Sequence, residues 1–402
     1  MNSLKKIDIE DLELGMYFCG FEASWLDHPF WKNKFLIKDR TVLQQARSSG
    51  IAQCWIDIDK GHDVAEKIVA VAAEPVMSVP VPVLASEVEA DPFFEEIEQA
   101  RLLCESAKDA TVAMFNEARL GKVIDIRCCA TVVDQITASL MHNSSALISV
   151  VRLKITDDYT YMHSVAVCTL MVALGRTLGM DEIACKEAGL AGLLHDIGKA
   201  FIPLSILHKP SSLSATEYEI IQRHPTLGYN HLNKNPTIPN YASEVCMHHH
   251  EKIDGSGYPD KLSGAGISRL ARMAAICDVY DAVTSNRPYK KGWDPAEALA
   301  RMASSVGHFD KSMLSAFVKT LGIYPIGSLV KMESGRMALV IRQNPSMLTK
   351  PVIKTFLYSA EGEVLETETI DLSVPNASDT IRQRGGEDWL KFNGLDQLWM
   401  KK

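Results

Sequence analysis

Apolar positions change their period twice along the chain. In roughly the first 75 residues they come in short runs broken by turns, such as Gly15-Met16-Tyr17-Phe18. In Ala52-Gln53-Cys54-Trp55-Ile56-Asp57-Ile58-Asp59 apolar and polar residues alternate, the period of a half-buried strand. A small, mainly β domain is expected there. Trp25, His28, Pro29, Phe30 and Trp31 form an aromatic patch within it, read as core packing first and as a partner surface second. Between Glu74 and Asp91 the composition turns to Pro and Val and then to acidic residues, as an extended connector does.

From Pro92 the period becomes helical, with Phe93, Ile97, Ala100, Leu103 and Cys104 on one face, and helices are expected to about residue 320. Tyr324 to Val330 and Met337 to Ile341 then read as strands around a Glu333-Ser334-Gly335-Arg336 hairpin turn. The fold class is α+β. An all-helical bundle (91–323) follows a small, mainly β N-terminal domain with its linker (1–90) and precedes a small β C-terminal subdomain (324–402).

Composition narrows the function classes. A chain of 402 residues with 47% hydrophobic and 23% charged residues is an ordinary globular one. Its net charge of -8 argues against long nucleic acid as a ligand. No stretch reaches about 18 uncharged apolar residues, so no membrane span is expected. Met1-Asn2-Ser3-Leu4-Lys5-Lys6 runs into acidic residues rather than an apolar core, so no secretory signal is expected. The nine cysteines are scattered, without a CxxC, which points to reduced thiols and a cytoplasmic location.

The chemistry gathers in the helical region. His195-Asp196 lies in Leu193-Leu194-His195-Asp196-Ile197-Gly198-Lys199, an otherwise apolar helix where a charge needs a partner, a proton or a metal. His163 precedes it; His224, His249-His250-Glu251 and Asp278 follow. Imidazoles with carboxylates suit divalent transition metals such as Fe, Mn, Ni or Zn, and the absence of Cys from the set disfavours a structural zinc cage. Six or seven ligands with one carboxylate able to bridge suggest two ions. A pair of metals about 3.5–4 Å apart is the arrangement that clamps attacking and leaving oxygens in phosphoester hydrolysis.

These ligands are expected on separate helices. His163 begins a segment running to Gly179, and a helix from about Asp181 carries His195-Asp196 and stops at Gly198. Ser214-Ala215-Thr216-Glu217 is a capping box for a helix delivering His224. Asn240 caps a helix ending in His248-His249-His250, and Ser268 caps one with Asp278 and Asp281 a turn apart.

The run from His163-Ser164-Val165 through His195-Asp196-Ile197-Gly198-Lys199 to His249-His250-Glu251-Lys252-Ile253-Asp254-Gly255-Ser256-Gly257-Tyr258-Pro259 resembles the HD-GYP family, a branch of the HD phosphohydrolase superfamily. The resemblance continues through Ile276-Cys277-Asp278-Val279-Tyr280-Asp281-Ala282 and Thr284-Ser285-Asn286-Arg287-Pro288-Tyr289, and covers roughly residues 150–325. The N-terminal stretch resembles, more weakly, the accessory domain often found before such modules. The resemblance implies a bacterial phosphodiesterase that opens a 3',5'-cyclic dinucleotide, cyclic di-GMP or 3',3'-cyclic GMP-AMP, to a linear dinucleotide and, with a second cut, mononucleotides.

Carried over residue by residue, the resemblance implies metal ligation by His163, His195, Asp196, His224, His249, His250 and Asp278. Asp196 bridges two ions, Fe or Mn before Ni or Zn, that share an attacking hydroxide. Lys199, one turn beyond His195, is placed to touch a substrate phosphate, and Arg287 and Lys290 match family positions that hold phosphates and guanine. Some relatives carry a glutamate four residues before the first histidine to help hold a third metal; here that residue is Tyr159, so two metals are expected. Asp281 reads as a partner orienting a ligand imidazole, while His208, His231, His248 and His308 read as structural. The Asp254–Pro259 loop borders the site and, in the family, can dock diguanylate cyclase domains; a homo-oligomer is a further open partner. The competing functions are a non-catalytic cyclic dinucleotide receptor and another HD-type nucleotide phosphohydrolase.

Overall fold

The computed structural model describes residues 4–21, 35–37, 43, 53–58, 60–62, 92–153, 159–207, 209, 213–285, 292–344, 346–358 and 364–385. The aromatic patch at Trp25 to Trp31, the Pro- and Val-rich connector, His208, Arg287 and Lys290 lie outside the described residues.

The N-terminal strands β1 (Leu4–Asp8), β2 (Tyr17–Phe21), β3 (Phe35–Leu36) and β4 (Gln53–Asp57) form an antiparallel sheet in the order β1-β4-β2-β3. Cys54 and Ile56 of β4 are buried with Ile7, Leu12, Met16 and Phe18, as the alternation at Ala52 to Asp59 predicts.

Helices follow: α1 (Pro92–Arg119), α2 (Ile126–His142), α3 (Ser144–Leu153), α4 (Tyr159–Thr177) and α5 (Glu182–Leu194). A 3-10 turn at Ile197–Phe201 leads to α6 (Leu204–Leu207), α7 (Ala215–Ile221), α8 (His224–Leu232) and α9 (Asn240–His248). The last are α10 (Arg269–Thr284), α11 (Pro295–Ser304) and α12 (Lys311–Leu321). Helix α4 is apolar all round and therefore central: Val165, Cys168 and Val172 pack into one core, and Val167, Leu170, Met171 and Leu174 into another.

An antiparallel sheet closes the described chain: β5 (Leu329–Met332), β6 (Met337–Arg342), β7 (Val352–Tyr358), β8 (Val364–Asp371) and β9 (Ile381–Arg384), in the order β8-β7-β6-β5-β9. The first of these strands starts later than Tyr324, because Ser328 N–H turns back to the Pro325 carbonyl at 2.9 Å. Leu329, Leu339 and Phe356 enter the same apolar core as α1 to α5. Asp294, which caps α11 through Ala296 and Glu297, also accepts the Leu329 N–H at 2.9 Å, so one carboxylate fastens sheet to bundle. The protein is α+β, with a helical core and small antiparallel sheets in its N- and C-terminal regions.

Candidate metal centre

Five segments deliver the polar side chains. His163 stands in the second turn of α4, His195 ends α5 and Asp196 opens the 3-10 turn. His224 is the first residue of α8, His249 ends α9 with His250 next, and Asp278 and Asp281 lie a turn apart on α10.

Local chemistry shifts three sequence expectations by a few residues. Helix α5 stops at Leu194, not Gly198, because the chain tightens to 3-10 geometry from Ile197. The Ser214–Glu217 capping box is present, but its helix ends at Ile221; His224 opens the next one, with Pro225 in the first turn where its missing N–H costs nothing. The cap position of α9 is Pro239, and Asn240 is its first residue. Ser268 caps α10 as expected, accepting the Ala271 N–H.

Close packing of the 3-10 turn on α8 depends on Gly198. A Cβ there would lie 1.8 Å from the His224 carbonyl oxygen, so no other residue allows Asp196 and His224 to meet this way. Nothing in the sequence-level reading of Gly198 as a helix stop predicts that contact.

The ring nitrogens are already sorted into two sets. Nδ1 of His195, His224 and His249 meets the carbonyls of Gly192 (2.7 Å), Ile221 (2.7 Å) and Cys246 (2.9 Å), and Nδ1 of His163 meets Asp281 Oδ2 at 2.6 Å. A carbonyl only accepts, so each of these Nδ1 atoms carries the hydrogen, and in the neutral ring Nε2 is a bare lone pair. All four Nε2 atoms converge on Asp196. His163 and His195 approach Oδ2 at 3.5 and 3.4 Å; His224 and His249 approach Oδ1 at 3.2 and 3.8 Å.

The cluster is therefore bipartite. His163, His195 and Asp278 form one three-donor group and His224, His249 and His250 another, and a third, His195, Asp196 and His249, links them, each with its donor atoms within 4.8 Å of one another. His163 Nε2 lies 2.9 Å from Asp278 Oδ1, and His250 Nδ1 lies 3.7 Å from Asp278 Oδ2. Nε2 of His195 and Oδ1 of Asp196 are buried without a hydrogen-bond partner, and the Nε2 atoms of His224 and His249 face each other at 3.3 Å. Buried lone pairs aimed at one another repel unless a cation lies between them, so this donor set fits divalent metal ions.

Electrostatics favour the metal-ready forms of His249, His250, Asp196 and Asp278 and oppose that of His195. Burial and the neighbouring imidazoles hold His249 well below the ordinary histidine range, and burial takes His250 down to about 3. For Asp196 the upward pull of burial is overcome by Lys199 and His195, and for Asp278 by His163; both carboxyls lie well below the usual range. Burial also opposes the charged form of His195, but Asp196 outweighs it and raises that ring's pKa.

At the rim, Lys199 Nζ sits 2.5 Å from Asp196 Oδ2 with its side chain partly exposed. The Asp254–Pro259 loop closes one side: the Tyr258 ring stacks on His250 with centroids 4.8 Å apart. Buried Glu251 anchors that loop by accepting the Asp260 N–H at 2.7 Å, a role the sequence reading missed although Glu251 sits in the same motif. Of the histidines read as structural, His248 bonds Asp260 at 3.0 Å, His231 packs on Phe201 and His308 stacks on Phe309, while His208 lies outside the described residues.

Known proteins share this arrangement of sequence. Residues 143–313 match the HD domain family, and residues 4–129 match a domain of unknown function, DUF3391, which runs through the N-terminal sheet and α1 into α2. A cyclic di-GMP phosphodiesterase of Pseudomonas aeruginosa is 46% identical over 398 residues, 98% of this chain and 95% of that protein. A 3'3'-cGAMP-specific phosphodiesterase of Vibrio cholerae is 37% identical over 165 residues, 40% of this chain and 38% of that protein. A cyclic di-GMP phosphodiesterase of Thermotoga maritima is 36% identical over 165 residues, 40% of this chain and 45% of that protein.

Proposed function

Because the chain belongs to the HD-GYP family of cyclic dinucleotide phosphodiesterases, we propose that its buried cluster holds two divalent transition metal ions, Fe or Mn, and opens cyclic di-GMP to its linear dinucleotide. One observation carries this reading: two pairs of imidazoles, His163 with His195 and His224 with His249, approach opposite oxygens of a single carboxylate, Asp196. Ions bound there supply Lewis acidity toward a phosphate oxygen and acidify water at neutral pH.

The side chains have distinct tasks. Asp196 spans the two groups, and Asp281 fixes the tautomer of His163. Lys199 lies at the open edge, where its ammonium offers a phosphate oxygen a charge-assisted hydrogen bond once the Asp196 carboxylate is engaged by metal. Arg287 and Lys290 are the further substrate-binding residues, holding phosphate and guanine. Tyr159 stands where a third-metal glutamate would, which favours two ions over three. Similarity along nearly the whole chain to a protein named for cyclic di-GMP favours that substrate; 3',3'-cyclic GMP-AMP is the second reading, supported over the helical domain. Among the described residues no helix is long and apolar enough to cross a membrane. Among the described residues the cysteines form no disulfide, which supports a reducing, cytoplasmic location.

The test is direct. Purified protein loaded with Mn or Fe is mixed with each cyclic dinucleotide, products are separated by chromatography, and metal is counted by mass spectrometry. Linear dinucleotide with two ions per chain is expected. Full metal loading without turnover would make the protein a receptor, and three ions per chain in active protein would remove the two-metal assignment.

A further inference from the structure

The side of His163 opposite Asp196 is closed by Asp281, which in turn lines a cavity. His163 turns Nε2 to Asp196 and Nδ1 to Asp281, and Asp281 lines a cavity of about 550 Å³ formed by α3, α4, α10, α12 and the segments before β5 and after β6. That volume is in the range of small-molecule sites.

The lining is graded in polarity. Leu170 and Ile326 are buried and apolar, while Lys319 and Arg176, whose Nη1 donates to the Leu140 carbonyl, are exposed cations at its edge. Gln343 contributes a buried side-chain carbonyl without a hydrogen-bond partner, its amide nitrogen being committed to the Tyr324 carbonyl. A fitting ligand has a flat, largely apolar body, an N–H donor for Gln343 and an anionic group for the two cations. Phosphate or carboxylate alone lacks the body, and an uncharged base lacks the anion.

We propose that this cavity is a regulatory site for a purine nucleoside monophosphate, and that its occupancy changes catalysis through the Asp281–His163 hydrogen bond. The choice of nucleotide rests on the proposed function, since a second cut of the linear dinucleotide would release this class of molecule; the cavity and its link to His163 stand apart from it. Coupling of this kind is reciprocal, so ions at the centre alter nucleotide affinity by the factor that nucleotide alters theirs.

The experiment uses the metal-loaded full chain, with 5'-GMP as probe and guanosine and inorganic phosphate as controls. GMP is expected to lower kcat with little change in KM, and both controls to be inert at the same concentration. Lys319→Glu, at an exposed position, is expected to weaken this effect about tenfold or more, as loss of a charge-assisted contact does, while leaving GMP-free kcat and KM as in the parent. Arg176→Gln is the second variant, with thermal unfolding as its folding control. Purely competitive inhibition by GMP, or noncompetitive inhibition unaltered in Lys319→Glu, would overturn the proposal. Should no cyclic dinucleotide be turned over, the functional reading fails. Calorimetry of GMP on parent and Lys319→Glu protein then still decides the cavity: equal heats in both refute it.

Discussion

Asp281 accepts the Nδ1 hydrogen of His163 at 2.6 Å, while Asp278, one turn earlier on the same helix, meets the Nε2 of that ring at 2.9 Å. One helix thus grips both nitrogens of an imidazole delivered by another. Such outer partners commonly control metal affinity by about 10–100-fold. Asp281→Ala is expected to weaken metal binding on that scale while the helical circular dichroism stays unchanged. A metal titration giving parental affinity would show that packing alone orients His163.

Asp196 is the only carboxylate touched by all four converging Nε2 atoms among the described residues. Asp196→Ala is expected to cut bound metal from two ions per chain to one or fewer and to abolish turnover. In the parent, chelation is expected to lower Tm, and Mn to restore it, since a ligand that binds only the folded state stabilises it by mass action. Identical melting curves with and without chelator would contradict a metal held by this cluster.

Acid should weaken the metal-free fold. Burial keeps His249 and His250 neutral in the folded chain, the latter down to about 3, whereas both protonate near 6.5 when unfolded. Below 6.5 the unfolded state binds more protons, so stability falls as pH falls through that window. His195, raised by Asp196, runs the other way, adding stability below 6.5 that disappears as pH rises. The depressed carboxyls of Asp196 and Asp278 add a further loss below about 3.8. Urea midpoints of chelated protein are expected to drop between pH 7 and 4.5; a rise over that range would mean His195 dominates.

Gly198→Ala places a methyl group on the His224 carbonyl. Separating the 3-10 turn from α8 pulls Asp196 from the His224 imidazole. The variant is expected to lose metal and several degrees of Tm together, whereas a conservative change at exposed Ile183 leaves both alone. Parental metal content in Gly198→Ala would show that α8 can shift without cost.

Much of the centre is legible in sequence because its donors are chemically odd where they stand: an imidazole or carboxylate in a helix such as Leu190 to Leu194 has no apolar reason to be there. Ser214 with Glu217 and Ser268 before α10 are equally readable, since capping is a contact over three residues. Contacts across the chain are not. The approach of Gly198 to His224 and the grip of Glu251 on Asp260 depend on how separate segments dock, which periodicity does not encode. The late start of β5 has a local cause, a turn at Pro325 that apolar patterning alone reads as strand.

Leu329, Leu339 and Phe356 share their core with the helices that carry His163 and His195, and the donors themselves extend to Asp278. On a ribosome, a chain paused between His250 and Asp278 has the His224, His249 and His250 donors but lacks the Asp278 carboxylate, and one paused before the sheet lacks part of the core it shares with α4 and α5. The complete donor set consequently belongs to the finished molecule and not to its nascent helices.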